Sequence, residues 1–264
     1  MQLVMRSWNL KPGANIAIPA FVCNSVRRSV INEGFNLVPF DLHPDSFWTN
    51  YDQQSMLDQN IDAIVLVHLY GYLHPDSKAL EGFARAHNLP LLHDLAQCYG
   101  VDESSLDPGL PRVYSFSQGK PTTGAFGGLI RNMDADFYQQ HIKTEPRPGL
   151  RKTTVQQFMK SRIYGYQLTA KDTLTLRSLR LARAVMPETK GITSMTDFQK
   201  QAAAKAIELQ AAHLADRKVN YQKLVEAAEA SGRFKSAFAD KNGLFNKVVL
   251  LAIGESSSDV DLAL

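Results

Sequence analysis

An α/β fold built on a mostly parallel sheet is what this sequence predicts. Apolar strand-like runs alternate with helix-like segments through the first half of the chain. The run over residues 61–68 is apolar and rich in β-branched side chains, as a strand buried on both faces must be. Glycine, proline and asparagine punctuate the joins.

The elements follow in order. The turn Lys11-Pro12-Gly13 introduces a short strand over 16–19, and residues 25–33 read as a helix closed by Gly34. A strand over 37–41 comes next, then the buried strand 61–68. Residues 75–87 are amphipathic, with Leu80, Phe83 and Ala84 on one face. Strands over 89–93 and 113–116 complete this half. Right-handed crossovers would place the helices on both faces of the sheet. Residues 141–195 then mix basic residues, proline and short helical pieces without a period. Residues 197–230 form one long helical pattern, and a strand over 247–253 follows the turn Asn242-Gly243.

Length and composition bound the class. The chain has 264 residues, 44% apolar and 21% charged, which excludes disordered, collagen-like and coiled-coil classes. Twenty-nine basic against twenty-six acidic residues give a net charge of +3, too small to argue for nucleic acid. No apolar run approaches the ~18–20 residues of a membrane span. Two cysteines cannot make a disulfide framework, and both read as small side chains packed inside. The expectation is a soluble cytoplasmic protein with no membrane or nucleic-acid partner.

In a doubly wound sheet ligands sit beyond the carboxyl ends of the strands. Three such ends carry polar residues: His68; His93-Asp94 followed by Gln97; and the stretch 115–120, Ser-Phe-Ser-Gln-Gly-Lys, running into Gly124, Gly127 and Gly128. Taken singly, each has an ordinary reading. An Asp at a strand end caps a helix, a Lys before Pro is solvated, and a glycine-rich stretch is a turn or hairpin. A lone His68 is a hydrogen-bonded core histidine. No G-x-G-x-x-G opens a helix after an early strand, which argues against a dinucleotide-binding Rossmann unit. His68, His74, His87 and His93 lack metal-ligand spacing.

Taken in order, these residues resemble a known family. HDLAQCYG at 93–100 is similar to the D-x-A-Q-x-x-G segment of the DegT/DnrJ/EryC1/StrS aminotransferases, and YSFSQGKPTTGAFGG at 114–128 to that family's S-F-x-x-x-K segment with its downstream Gly-Gly. The stretch 11–42 resembles the P-G-D-E-V-I-x-P turn, helix and P-V-F-x-D strand. VHLYGYLHPD at 67–76 resembles the V-H-L-Y-G loop, and 194–209 the start of the long helix after the cofactor domain. The likeness covers most of 11–225.

The resemblance implies a three-layer α/β/α large domain of the fold-type I pyridoxal 5'-phosphate (PLP) enzymes. It divides the chain into a PLP-binding domain over 1–195 and, over 196–264, a connecting helix with the start of a small α+β domain. It implies an aminotransferase moving an amino group from an amino acid, glutamate first, to a keto-sugar nucleotide. Lys120 would be the Schiff-base lysine, Asp94 the carboxylate facing the ring nitrogen, Gln97 a partner of the 3'-oxygen and Ser115 a phosphate contact. Cys23 stands where relatives place an aromatic against the ring, and Phe21 could supply that contact. Family dehydratases carry His in place of the lysine, so Lys120 argues for amino transfer. Family members are homodimers with the site at the subunit interface. Here the N-Y-R-M segment reads Ile192-Thr193-Ser194-Met195.

The family's phosphate-binding helix start precedes the P-G-D-E-V turn, whereas Met1 lies only a few residues before it. The resemblance therefore leads to the expectation of a chain short of that end and of most of the small domain. The alternative expectation is a family member that keeps the fold without catalysis, as a binding subunit or gene fragment.

Overall fold

The computed structural model describes residues 1–43, 46–117, 119–122, 127–142, 194–195, 197–238, 243–245 and 247–253. The basic segment 143–160 lies outside them.

Helix α1 (Gln2–Ser7) leads into β1 (Asn15–Pro19), α2 (Asn24–Asn32) and β2 (Asn36–Phe40). Then come α3 (Gln53–Asp58), β3 (Ala63–Val67), α4 (Ser77–Ala86), β4 (Leu91–Asp94), β5 (Arg112–Ser115), β6 (Gly128–Arg131) and α5 (Ala135–His141). These strands form one sheet in the order β2-β1-β3-β4-β5-β6. All neighbours are parallel except β5 and β6, which pair antiparallel with Tyr114 opposite Leu129. The central strands are buried because both faces are covered. Ile16, Ile18, Ala63, Val65 and Val67 pack on one face with Met5 of α1 and with Val26 and Val30 of α2. Ala17, Ile64, Leu66 and Leu91 pack on the other with Met56 of α3 and with Leu80, Phe83 and Ala84 of α4. Strand periodicity thus feeds two cores, which is why the run at 61–68 carries no alternation.

Helix α6 (Asp197–Ala230) runs for 34 residues, about 51 Å at 1.5 Å per residue. It is followed by β7 (Phe234–Ser236) and β8 (Leu250–Ala252), a separate antiparallel pair. The strand expected over 247–253 is therefore shorter, and Lys247 precedes it. Helices α3 and α5 escaped the sequence reading, although each carries a cap. Asp52 accepts from Ser55 N at 2.7 Å, and Asp134 from Phe137 N at 2.6 Å.

Candidate active site

The strand order reverses between β1 and β3, since β2 lies to one side of β1 and β3 to β6 run to the other. Ligand crevices open at the carboxyl ends of strands on either side of such a reversal. Here that edge gathers Phe21 and Cys23 after β1, His68 and Tyr70 after β3, Asp94 and Gln97 at β4, and Ser115 and Lys120 at β5.

Asp94 is the last residue of β4 and is 4% exposed. Its Oδ1 accepts from Ala96 N at 3.0 Å, which closes a turn after β4; no helix starts there, so Asp94 is not the helix cap that a lone Asp at a strand end suggests. Burial pushes its carboxyl above the ordinary value, against the Ala96 N–H and the charge of Lys120, both of which favour the anion. The Lys120 charge also favours the thiolate of Cys23.

The loop that presents Lys120 is held from two directions. Phe116 N donates to Gly127 O at 3.0 Å and Lys120 N to Ser117 O at 3.3 Å. Gly128 has to be glycine, because a Cβ there would stand 2.3 Å from Tyr114 O across the β5–β6 pair. From the far side, α6 grips the two residues after the lysine. Arg217 Nη2 donates to Pro121 O at 2.8 Å. Thr122 Oγ1 donates to Gln210 Oε1, while Gln210 Nε2 donates to Tyr99 O at 2.6 Å. Gln210 thus ties the loops after β4 and β5 together. Sequence reasoning missed Gln210 and Arg217, since a helix pattern does not say which polar residues it turns inward.

Of the other expected site residues, Ser115 Oγ meets Ser117 Oγ at 3.1 Å and accepts from Ser117 N at 3.3 Å. Gln97 Oε1 is buried without a hydrogen-bond partner. Phe21 is 48% exposed and packs edge-on against Phe47, with ring centroids 5.1 Å apart. Cys98 is buried, as expected, and burial pushes its thiol up. Cys23 departs from expectation: it is exposed, as the N-cap of α2. Burial raises its thiol, but hydrogen bonds from Ser25 and the Lys120 charge win and leave it below the ordinary value.

After β3 the chain makes a tight turn, with Tyr72 N donating to Leu69 O at 2.8 Å. Tyr70 and Gly71 take φ of +55° and +93°. Two positive φ values are the mark of a type I′ turn, and the left-handed region costs a bulky residue about 1–2 kcal/mol. The strain sits at the carboxyl end of β3.

Behind this turn lies a buried histidine chain whose tautomers follow from the partners. His74 N donates to His68 Nδ1 at 2.9 Å, so His68 carries its proton on Nε2 and gives it to His93 Nδ1 at 3.0 Å. His93 then carries its proton on Nε2, 3.1 Å from Glu81 Oε1 but too poorly aligned for a hydrogen bond. His74 Nε2 donates to Thr49 O at 3.0 Å while Nδ1 accepts from Asp76 N at 3.2 Å. The bland reading of His68 as a satisfied core histidine is the observed one. Burial drives all three imidazoles below their ordinary value, His93 to about 4. Arg112 lowers His93 further, whereas Asp107 opposes.

The sign of the pH effect follows. A histidine whose folded pKa is depressed binds its proton later than the unfolded chain does, so stability falls as pH drops from 6.5 towards 4. For His93 that gap is worth about 3 kcal/mol. His93→Asn, which keeps an acceptor for His68, is expected to remove about one proton from the slope of unfolding free energy against pH over this window. Urea denaturation at pH 4.5, 5.5 and 6.5 measures it.

Among the described residues no group of three or more His, Cys, Asp or Glu could hold a metal ion, and no helix is long and apolar enough to cross a membrane.

With this geometry in view, the comparisons with known proteins are specific. The family model described as "DegT/DnrJ/EryC1/StrS aminotransferase family" matches residues 1–175. An L-glutamine:2-deoxy-scyllo-inosose aminotransferase from Streptomyces paromomycinus is 28% identical over 155 residues, covering 56% of this chain and 36% of that protein. A DegT DnrJ EryC1 StrS aminotransferase from Brucella abortus superimposes with a TM-score of 0.66 at 16% identity, covering 96% of this chain and 63% of the other. NtdA from Bacillus subtilis, solved with bound cofactor PMP, gives 0.63 at 14% identity, covering 96% and 52%. The chain thus spans about a third of the curated relative and half to two thirds of the solved chains.

Proposed function

The chain belongs to the DegT/DnrJ/EryC1/StrS aminotransferase family, and from that premise we propose that it carries the centre of a PLP-dependent aminotransferase. The reaction proposed moves an amino group from an amino acid, glutamate or its amide, to a ketone on a sugar nucleotide or similar polyhydroxylated ring. The similar Streptomyces enzyme is named for glutamine as donor and for a cyclitol ketone as acceptor. The observation that carries the reading is the placement of Lys120 and the buried carboxylate of Asp94 at the carboxyl ends of the neighbouring strands β5 and β4.

The residues present fit the cofactor. Its aldehyde requires a primary amine, which Lys120 offers. Its ring nitrogen requires an acid partner, and a carboxylate buried as Asp94 is gains from a cationic N–H facing it. Gln97 has a buried amide oxygen without a partner. Turning that amide by 180° puts its NH2 there instead, a donor for the cofactor's phenolic oxygen. The paired hydroxyls of Ser115 and Ser117 suit a phosphate. When bound, the cofactor supplies an electron sink that acidifies the bond at the donor's α-carbon.

Each residue then has one task. Asp94 holds the ring nitrogen's proton. Lys120 would take the proton from the donor's α-carbon and, for the acceptor, would deliver one to the carbonyl carbon. Gln210 and Arg217 keep the lysine's loop in register through Pro121 and Thr122. Phe21 and Cys23 are proposed to border the ring. A second copy of the chain closing the site is part of the same proposal.

Single-turnover release of 2-oxo acid tests this reading. The PLP-loaded chain mixed with glutamine or glutamate is expected to yield one 2-oxo acid per site and to keep the amino group, which then passes to an added keto-sugar acceptor as one amino product per site while the 2-oxo acid stays in solution. Cofactor uptake without 2-oxo acid would leave a binding module and overturn the proposal.

A further inference from the structure

The buried histidine chain ends on a backbone amide, and that fixes its direction. His74 N can only donate, so His68 accepts on Nδ1 and donates from Nε2, and His93 accepts on Nδ1. All three imidazoles are at most 2% exposed. Both ring nitrogens of His68 are committed, so the chain has no place for another proton. A proton added to His68 lands on Nδ1 and meets the His74 N–H head-on. A proton added to His93 lands on Nδ1 and meets the His68 Nε2–H. His68 can accept it only by carrying its own proton on Nδ1, which again meets the His74 N–H.

The weaker joint is the one that gives. Leu66 of β3 pairs with His93 of β4, and His68 N donates to Asp94 O at 3.1 Å. The two rings stack with centroids 5.2 Å apart, and an imidazolium donating to a neutral imidazole makes a charge-assisted bond. His74 instead follows the turn in which Tyr70 and Gly71 hold positive φ, so opening there relieves strain. Charged groups face the pair from three sides. Glu81 of α4, 3.1 Å from His93 Nε2, is the counter-ion for a cation there, and Asp107, paired with Arg85, also favours it. Arg112 of β5 opposes at both rings, with its guanidinium held by Glu103 at 2.5 Å. His74 opposes charge on His68; its own neighbours are Asp76 and the rings of Trp48 and Tyr51. Burial keeps every ring of the chain neutral near pH 7.

We propose that the His68–His93 pair is an acid-sensitive latch: one added proton frees the His74 N–H and opens the turn after β3 while the sheet stays folded. The latch borders the candidate site, because His68 N is bonded to the carbonyl of Asp94. It does not depend on which reaction the site performs.

The test is native-state amide exchange of the full chain by NMR at pH 7 and pH 5, each rate divided by that of a free amide at the same pH. A ring held at about 4 when closed and near its ordinary value when open raises the opening constant of the His74 amide by about 10–30-fold between these pH values. That opening should depend little on added urea, whereas the Ile64 amide, bonded to Pro90 O inside the sheet, should open only with the steep urea dependence of global unfolding. In His68→Asn the Oδ1 can still accept from His74 N but takes no proton, so the response of the His74 amide should shrink to less than about threefold. A His74 opening as urea-dependent as that of Ile64 overturns the latch, and so does an undiminished pH response in His68→Asn. Imidazole 15N shifts of the wild type at pH 7.5 check the same chain without a variant. Both His68 and His93 should carry their proton on Nε2, and a proton on Nδ1 of either ring overturns the inference.

Discussion

Lys120→Ala is expected to lower amine transfer by about 10³-fold or more, because one substitution removes both the cofactor's amine partner and the group that moves the proton. Stability should change by less than about 1 kcal/mol, since the lysine is half-buried in a loop whose shape is set elsewhere. The neighbours that set it are Phe116, Gly127, Gln210 and Arg217. Added ethylamine should restore a measurable part of the rate in Lys120→Ala, because a small amine can stand in as the proton carrier. Assays of kcat with and without ethylamine, alongside urea denaturation, read both arms. A rate within tenfold of wild type would remove Lys120 from the chemistry.

Asp94→Asn separates function from folding in a different way. The amide keeps an oxygen for the Ala96 N–H and the same volume, so the end of β4 stays as it is. It cannot hold a proton on the ring nitrogen, and kcat is expected to fall about 10²–10³-fold. Stability should move the other way or not at all. Burial holds the Asp94 carboxyl above its ordinary value, so its neutral form is the better-tolerated one in the fold without ligand. The stability that this form contributes is present below the unfolded pKa and is lost as pH rises through the folded one. That contribution shrinks as pH rises, whereas the uncharged Asn variant has no such term. The Asn variant should therefore unfold in urea at the same or a higher midpoint. Loss of activity with loss of stability would instead mark Asp94 as a structural cap.

Much of the fold was legible because local pattern and global burial agree. The run at 61–68 is apolar without alternation, and the sheet buries β3 on both faces. Leu80, Phe83 and Ala84 were read as one face of a helix and pack together beneath β3. The long helix at 197–230 carries enough turns for its pattern to be plain. Short elements were harder, because three residues of β7 hold no period and α3 announces itself only through Asp52. In the site, Asp94 and Lys120 stood out by motif. Gln210 and Arg217 did not, since each reaches the site from sequence far away and a single Gln or Arg carries no local signal. Cys23 shows the opposite limit: its position in a motif was readable, but not that it caps α2 with its sulfur exposed.

The proposed reaction turns on Lys120 as the residue that holds the cofactor. The direct measurement is borohydride reduction of the PLP-treated full chain, followed by proteolysis and mass mapping of the labelled peptide. The expected result is one stable cofactor adduct per chain, located on Lys120 and absent from Lys120→Ala. An unmodified Lys120, or an adduct spread over surface lysines that persists in Lys120→Ala, would contradict it.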